Sequence, residues 1–299
     1  MIRQKIIPLT LLLFLTFIFC LPLKLRSQGI DSTQWARKQI FAAPSKTFIP
    51  HGNESVKFVD VITKPVINIL INGKGPFRML IDVGANITLL QKNLVKQLGL
   101  RNLRPNGGKL LLVDSIKIGN ASFTGIVAGE DEWKENIDGV IGFNIFKNCL
   151  LSFDYTQQRL NLLAGELPAP DNKTIFRYTN HLGLPYYTLS VGADTLEVLL
   201  DTGMSGYFAI NSKYKDRFKF SGHEKNVTTT SSYYKGSATL LPLLDKIKIG
   251  RYAFNNCPTV ISVEDGNRLG SGIFQYFTLT FDQKNNTFRI TGDKSNFEL

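Results

Sequence analysis

Two carboxylates in the chain stand where a carboxylate is costly. Asp82 closes the apolar run Met79-Leu80-Ile81, and Asp201 closes Val198-Leu199-Leu200. Short apolar runs of this kind predict buried strands. A charged group at the end of a buried strand must be paired, hydrogen-bonded or protonated. Each aspartate is followed, two residues on, by a glycine, Gly84 or Gly203. A glycine there lets another backbone approach with no side chain in the way. Two carboxylates brought face to face cannot both ionise comfortably, so one holds a proton while the other is charged. The charged one can take a proton from water and the protonated one can polarise a carbonyl. That is general acid–base hydrolysis without a covalent intermediate.

The elements that must position the pair occur twice. Residues 64–90 lie over 183–209 at an offset of 119 with no gap. Gly73 falls on Gly192, and Phe77–Asp82 falls on Leu196–Asp201. Further on, Asp114-Ser115-Ile116-Lys117-Ile118-Gly119 matches Asp245-Lys246-Ile247-Lys248-Ile249-Gly250, and Leu151-Ser152-Phe153-Asp154 matches Leu279-Thr280-Phe281-Asp282. Four landmarks in one order indicate an internal duplication. Asp154 and Asp282 stand at matching strand ends before polar turns and read as turn acceptors.

At these residues the chain resembles the aspartic peptidases. Each half resembles a retropepsin unit, and the two together resemble the bilobal pepsin arrangement. The family motif is Asp-Thr/Ser-Gly followed by Ala or Ser; Asp201-Thr202-Gly203 fits it, as do Asp82 and Gly84-Ala85. The family also carries a later apolar-apolar-Gly that supports the active-site loop. Val140-Ile141-Gly142 copies it well, whereas Leu269-Gly270, preceded by Arg268, is a worn copy. The resemblance spans roughly residues 60–292. It implies an all-β fold of two β-barrel lobes with a few short helices. It further implies Asp82 and Asp201 as catalytic residues, with Gly84, Thr202, Gly203, Gly142 and Gly270 supporting the active loops. The implied substrate is a peptide or protein held between the lobes, hydrolysed without a cofactor or metal.

Two positions depart from that pattern. Val83 replaces the Thr or Ser whose hydroxyl, in the family, bonds across to the opposite loop; valine keeps the shape but has no donor or acceptor. Met204 stands where a small residue is usual. The departures leave a second reading open, a peptide-binding module on the same fold with catalysis lost.

Length and composition agree with a globular chain of 299 residues, 43% hydrophobic and 20% charged, with 25 Gly and 12 Pro marking many turns. The formal charge is +11, but Arg3, Lys5, Lys24 and Arg26 fall in the first 27 residues. The remaining basic residues form no long tract, so no nucleic-acid partner is expected. The apolar stretch Ile6–Leu23 after a basic start reads as a secretory leader (residues 1–28), or as an anchor if retained. The expectation is an exported protein, periplasmic or extracellular, monomeric, with membrane attachment through that stretch left open. Sequons at Asn53, Asn86, Asn120, Asn172, Asn226 and Asn285 include one inside the first active loop, where a glycan would block the site. That favours a bacterial cell. Cys149 and Cys257 fall at non-equivalent points of the repeat and read as buried free thiols rather than a bridge. His51, His181 and His223 have no ligand partners at metal-binding spacing. No serine-nucleophile elbow or phosphate-cradling glycine loop is present.

Taken in order, residues 29–58 form a lead segment, 59–165 the first lobe, 166–175 a Pro-containing polar linker and 176–299 the second lobe. Residues 91–99 predict a short helix ended by Gly99, with Leu94 and Leu98 on one face. Arg104–Gly108 predicts a compact hairpin turn. The second lobe is longer by 12 residues between its aspartate and the Ile-Lys-Ile run, around Ser221–Gly236. The expectation there is a substrate-covering hairpin with Tyr233 or Tyr234 facing the groove.

Overall fold

The computed structural model describes residues 42–59, 64–103, 110–133, 135–230, 235–263 and 266–299. The leader segment, the turn 104–108 and both Tyr233 and Tyr234 lie outside the described residues.

The fold is all-β. In the first half, alternating apolar residues make the hairpin Val66–Ile71 and Lys74–Asp82, whose inward side chains Ile67, Met79 and Ile81 are fully buried. The second half repeats it with Leu184–Val191 and Asp194–Asp201. In each half the aspartate strand then pairs in parallel with a late short strand. Lys74–Asp82 pairs with Gly139–Gly142, and Asp194–Asp201 pairs with Arg268–Gly270. The other edge of that late strand pairs antiparallel with the strand following the aspartate, Thr88–Gln91 or Phe208–Asn211. Each aspartate loop is thereby held between two strands of one sheet, and the duplication read in the sequence is one of structure.

The halves differ in closure. In the first, Leu110–Ile118 pairs with both Val66–Ile71 and Ala121–Asp131, so six strands close into a barrel. In the second, the corresponding hairpin is broken. Lys235–Leu243 and Ile247–Ile249 are separate strands, and so are their partners Cys257–Ser262 and Tyr252–Asn255. Asn256 takes a left-handed φ of 52° at the break. The second ring is therefore a half-barrel. Its extra length is the hairpin Lys225–Thr230 with Lys235–Leu243, as the sequence predicts, though its tip is outside the described residues.

A six-stranded sheet joins the halves. Leu150–Asp154 and Thr278–Asp282 lie antiparallel at its centre, flanked by Arg159–Leu163 and Thr287–Thr291, with Asn53–Lys57 and Ile175–Arg177 at the edges. Ser152 stands opposite its repeat equivalent Thr280, and their buried hydroxyls meet at 2.8 Å. Residues 46–57 of the lead segment are woven in, since Lys46–Phe48 also pairs with Ala121–Asp131. Residues 164–174 contain no strand or helix, and Asp171 there accepts the N–H groups of Lys173, Thr174 and Ile175. The helix Lys92–Leu98 ends at Gly99 with φ 65°, a left-handed cap; Leu94 is buried and Leu98 packs against the core. Cys149 and Cys257 are buried free thiols. Asp154 accepts from Thr156 and Gln157, and Asp282 from Leu167 and Asn285. Among the described residues no helix is long and apolar enough to cross a membrane.

Candidate active site

Asp82 and Asp201 sit at the ends of equivalent strands, and each is seated against the other's loop. A side chain added at Gly84 would place its Cβ 2.7 Å from the Asp201 carboxyl carbon; one at Gly203 would lie 2.6 Å from that of Asp82. These are distances that real Cβ atoms do not show, so only glycine lets the loops close this far. The loops also share hydrogen bonds. Asp82 Oδ1 accepts the N–H of Gly84 at 2.7 Å and that of Gly203, across the interface, at 3.1 Å. Asp201 Oδ1 accepts the Met204 N–H at 2.9 Å.

Thr202 ties the two loops from one side. Its hydroxyl donates to the Ile81 carbonyl at 3.0 Å and accepts the Val83 N–H at 3.0 Å. Val83, its repeat equivalent, is fully buried and has no hydroxyl to return the contact. The half-tie is the structural consequence of the departure seen in the sequence.

Gly142 and Gly270 stand directly opposite Asp82 and Asp201 in the parallel pairings. Each lies where a Cβ would strike the active loop, against Ile87 backbone in one half and the Met204 carbonyl in the other. The next residue in each half donates back to that loop: Phe143 N–H to Ala85 at 2.7 Å, and Ser271 N–H to Met204 at 2.8 Å. The worn copy at Leu269-Gly270 thus performs the same support as the good one. All seven of Asp82, Asp201, Gly84, Thr202, Gly203, Gly142 and Gly270 come together at the junction.

The electrostatics are unequal. Asp201 is buried while Asp82 is partly exposed. Desolvation first, and the facing Asp201 charge second, push the Asp82 carboxyl up to about 7. The Gly84 and Gly203 N–H groups and the Arg268 charge act in the opposite direction.

Two contributors were not singled out by sequence reasoning. Arg268 Nη1 lies 3.1 Å from Asp201 Oδ2. The signal was a charge where the first half has Val140, in a strand otherwise buried, since such a charge needs a partner. The second is Tyr155, buried behind the site, whose hydroxyl meets Ser271 Oγ at 3.0 Å; Ser271 Oγ in turn donates to the Thr202 carbonyl at 2.8 Å. Nothing in the spacing of Tyr155 marks it. His181 lies beside exposed Glu197, and His51 occupies a left-handed turn.

Residues 67–145, a stretch that contains Asp82 and Gly142, match the family profile described as Aspartyl protease. No curated protein matches the chain. Over that stretch, which covers the first half's site, the chain is similar to aspartyl proteases.

Proposed function

We propose that the chain is an exported endopeptidase of the bilobal, pepsin-like type, acting on extended peptide segments through Asp82 and Asp201. The carrying observation is that each carboxylate packs against the other loop's glycine, so the two acids meet at the junction of the halves. In the step proposed, the ionised carboxylate takes a proton from water as its oxygen bonds to the scissile carbonyl carbon. The protonated carboxylate gives its proton to the carbonyl oxygen. The resulting gem-diol collapses as the C–N bond breaks, one carboxyl giving its proton to the leaving amine while the other takes a proton from a gem-diol hydroxyl, which restores the one-proton dyad. Neither carboxylate becomes covalently bound. The match to the Aspartyl protease profile supports peptide bonds as the substrate class. The basic, apolar start of the chain supports export to the periplasm or the exterior.

The test is proteolysis of an unfolded protein by wild type and by Asp201→Asn. Wild-type cleavage lost in the variant is expected, whereas cleavage that survives the substitution removes the proposal. Val83 favours one other reading, peptide binding without turnover. A screen of denatured proteins across pH, with and without a statine-type inhibitor, selects that reading if peptides bind and none is cut.

A further inference from the structure

The two halves present different surroundings to their carboxylates. In the first half, Val140 occupies the place opposite Leu80 and packs with Val66, Leu80 and Leu89. In the second, the equivalent place opposite Leu199 is held by Arg268. Its side chain is about one-third exposed at 32%, and its guanidinium reaches Asp201, whose side chain is 6% exposed. Both Asp201 oxygens accept from N–H donors, Oδ1 from Met204 and Oδ2 from Arg268. For Asp82, both described donors, Gly84 and Gly203, converge on Oδ1. Among the described residues Oδ2 of Asp82 receives no N–H. A positive charge on one partner of a like-charged pair breaks the tie over which keeps the proton.

We propose that Arg268 is a positioning residue that fixes the protonation of the pair, holding Asp201 as the carboxylate and leaving the shared proton on Oδ2 of Asp82. This rests on the proposed peptidase reading for its consequence, namely that Asp201 takes the proton from water and Asp82 supplies one to the carbonyl. Among the described residues, the other ionisable groups near the pair do not compete for this role. Tyr155, from the turn after Leu150–Asp154, is held neutral by burial. Glu197, on the strand of Asp201, is exposed and engaged with His181 at 3.3 Å.

The one-proton state spans the pH range between the two ionisations of the pair. Arg268, 3.1 Å from one carboxylate, favours the singly charged pair over the fully protonated one and so extends that range at its acid end. Its charge also lowers Asp82, which sets the alkaline end. Replacing Arg268 by Met therefore moves both ends upward, the acid end more, by about one unit or more.

The test is carboxyl ¹³C NMR titration of protein labelled at aspartate, with resonances assigned by Asp82→Asn and Asp201→Asn, in wild type, Arg268→Met and Arg268→Lys. In wild type between the two ionisations, Asp82 is expected at the protonated shift and Asp201 at the ionised one. In Arg268→Met the two shifts converge and the first ionisation rises by about one unit or more. Arg268→Lys, which keeps the charge, restores most of the wild-type pattern, and it carries the comparison if the Met variant does not fold. A wild-type proton found on Asp201, or titrations that do not move in Arg268→Met, overturns the assignment. Cleavage measured on the same samples separates the two claims. Shifted titration without any proteolysis keeps this inference and sinks the peptidase reading; proteolysis with unmoved titration does the reverse.

Discussion

At the scale of single residues, the site depends on what Asp82 and Thr202 lose or gain. The Asp82 carboxyl is raised from 3.8 to about 7 in the folded chain, so the folded state binds the proton more tightly than the unfolded one. Its contribution to stability is then full below about pH 4 and is lost as pH rises through about 7. Urea unfolding at pH 4, 5.5 and 7 is expected to show stability falling along that series, and Asp82→Asn, neutral throughout, to flatten the fall. An unchanged slope in the variant would place the pH dependence elsewhere. Thr202 makes two buried hydrogen bonds with one hydroxyl, so Thr202→Val should cost about 1–3 kcal/mol in denaturant midpoint analysis. Val83→Thr would supply the missing half of the tie, and a gain of about 1 kcal/mol is expected. The aspartates were legible because a carboxylate ending an apolar run is conspicuous. Arg268 was legible only as a defect in a motif, because a sequence shows that a charge is out of place without showing which partner it meets.

At the scale of elements, the active loops are fixed by glycines that leave no room between strands. Gly203→Ala would push a Cβ into the Asp82 carboxyl group, and Gly84→Ala into that of Asp201. Either should destabilise the fold by about 1–3 kcal/mol and separate the carboxylates. The expected readout is a lowered thermal midpoint together with loss of proteolysis, and a variant with wild-type values in both would contradict the packing described. The strand pairs and the helix Lys92–Leu98 were readable from alternation and from the Gly99 stop. The break in the second barrel was not. Both Leu110–Ile118 and its counterpart carry an Asp before Ile-x-Ile-Gly; beside the break the second half has the facing Pro242 and Pro258 and the left-handed Asn256.

At the scale of the whole molecule, the two halves are bound by a sheet to which both contribute three strands. Ser152 against Thr280 and Val83 against Thr202 join equivalent residues at two levels, which is what a twofold relation of duplicated halves requires. Unfolding is expected as one transition, with tryptophan fluorescence and far-ultraviolet circular dichroism coincident; two separated transitions would mean that the halves are independent. The offset of the repeat announced the duplication, but the joining sheet depends on long-range pairings that no local pattern encodes. The same is true of the way residues 46–57 enter it. The account as a whole stands on Asp82 and Asp201 working as one unit, and groups that act as a unit lose everything with the first of them. The most direct measurement is therefore the rate of proteolysis in Asp82→Asn, Asp201→Asn and the double variant, side by side with wild type. The expected result is that each single variant is as inactive as the double; a single variant that retains turnover above the double would contradict it.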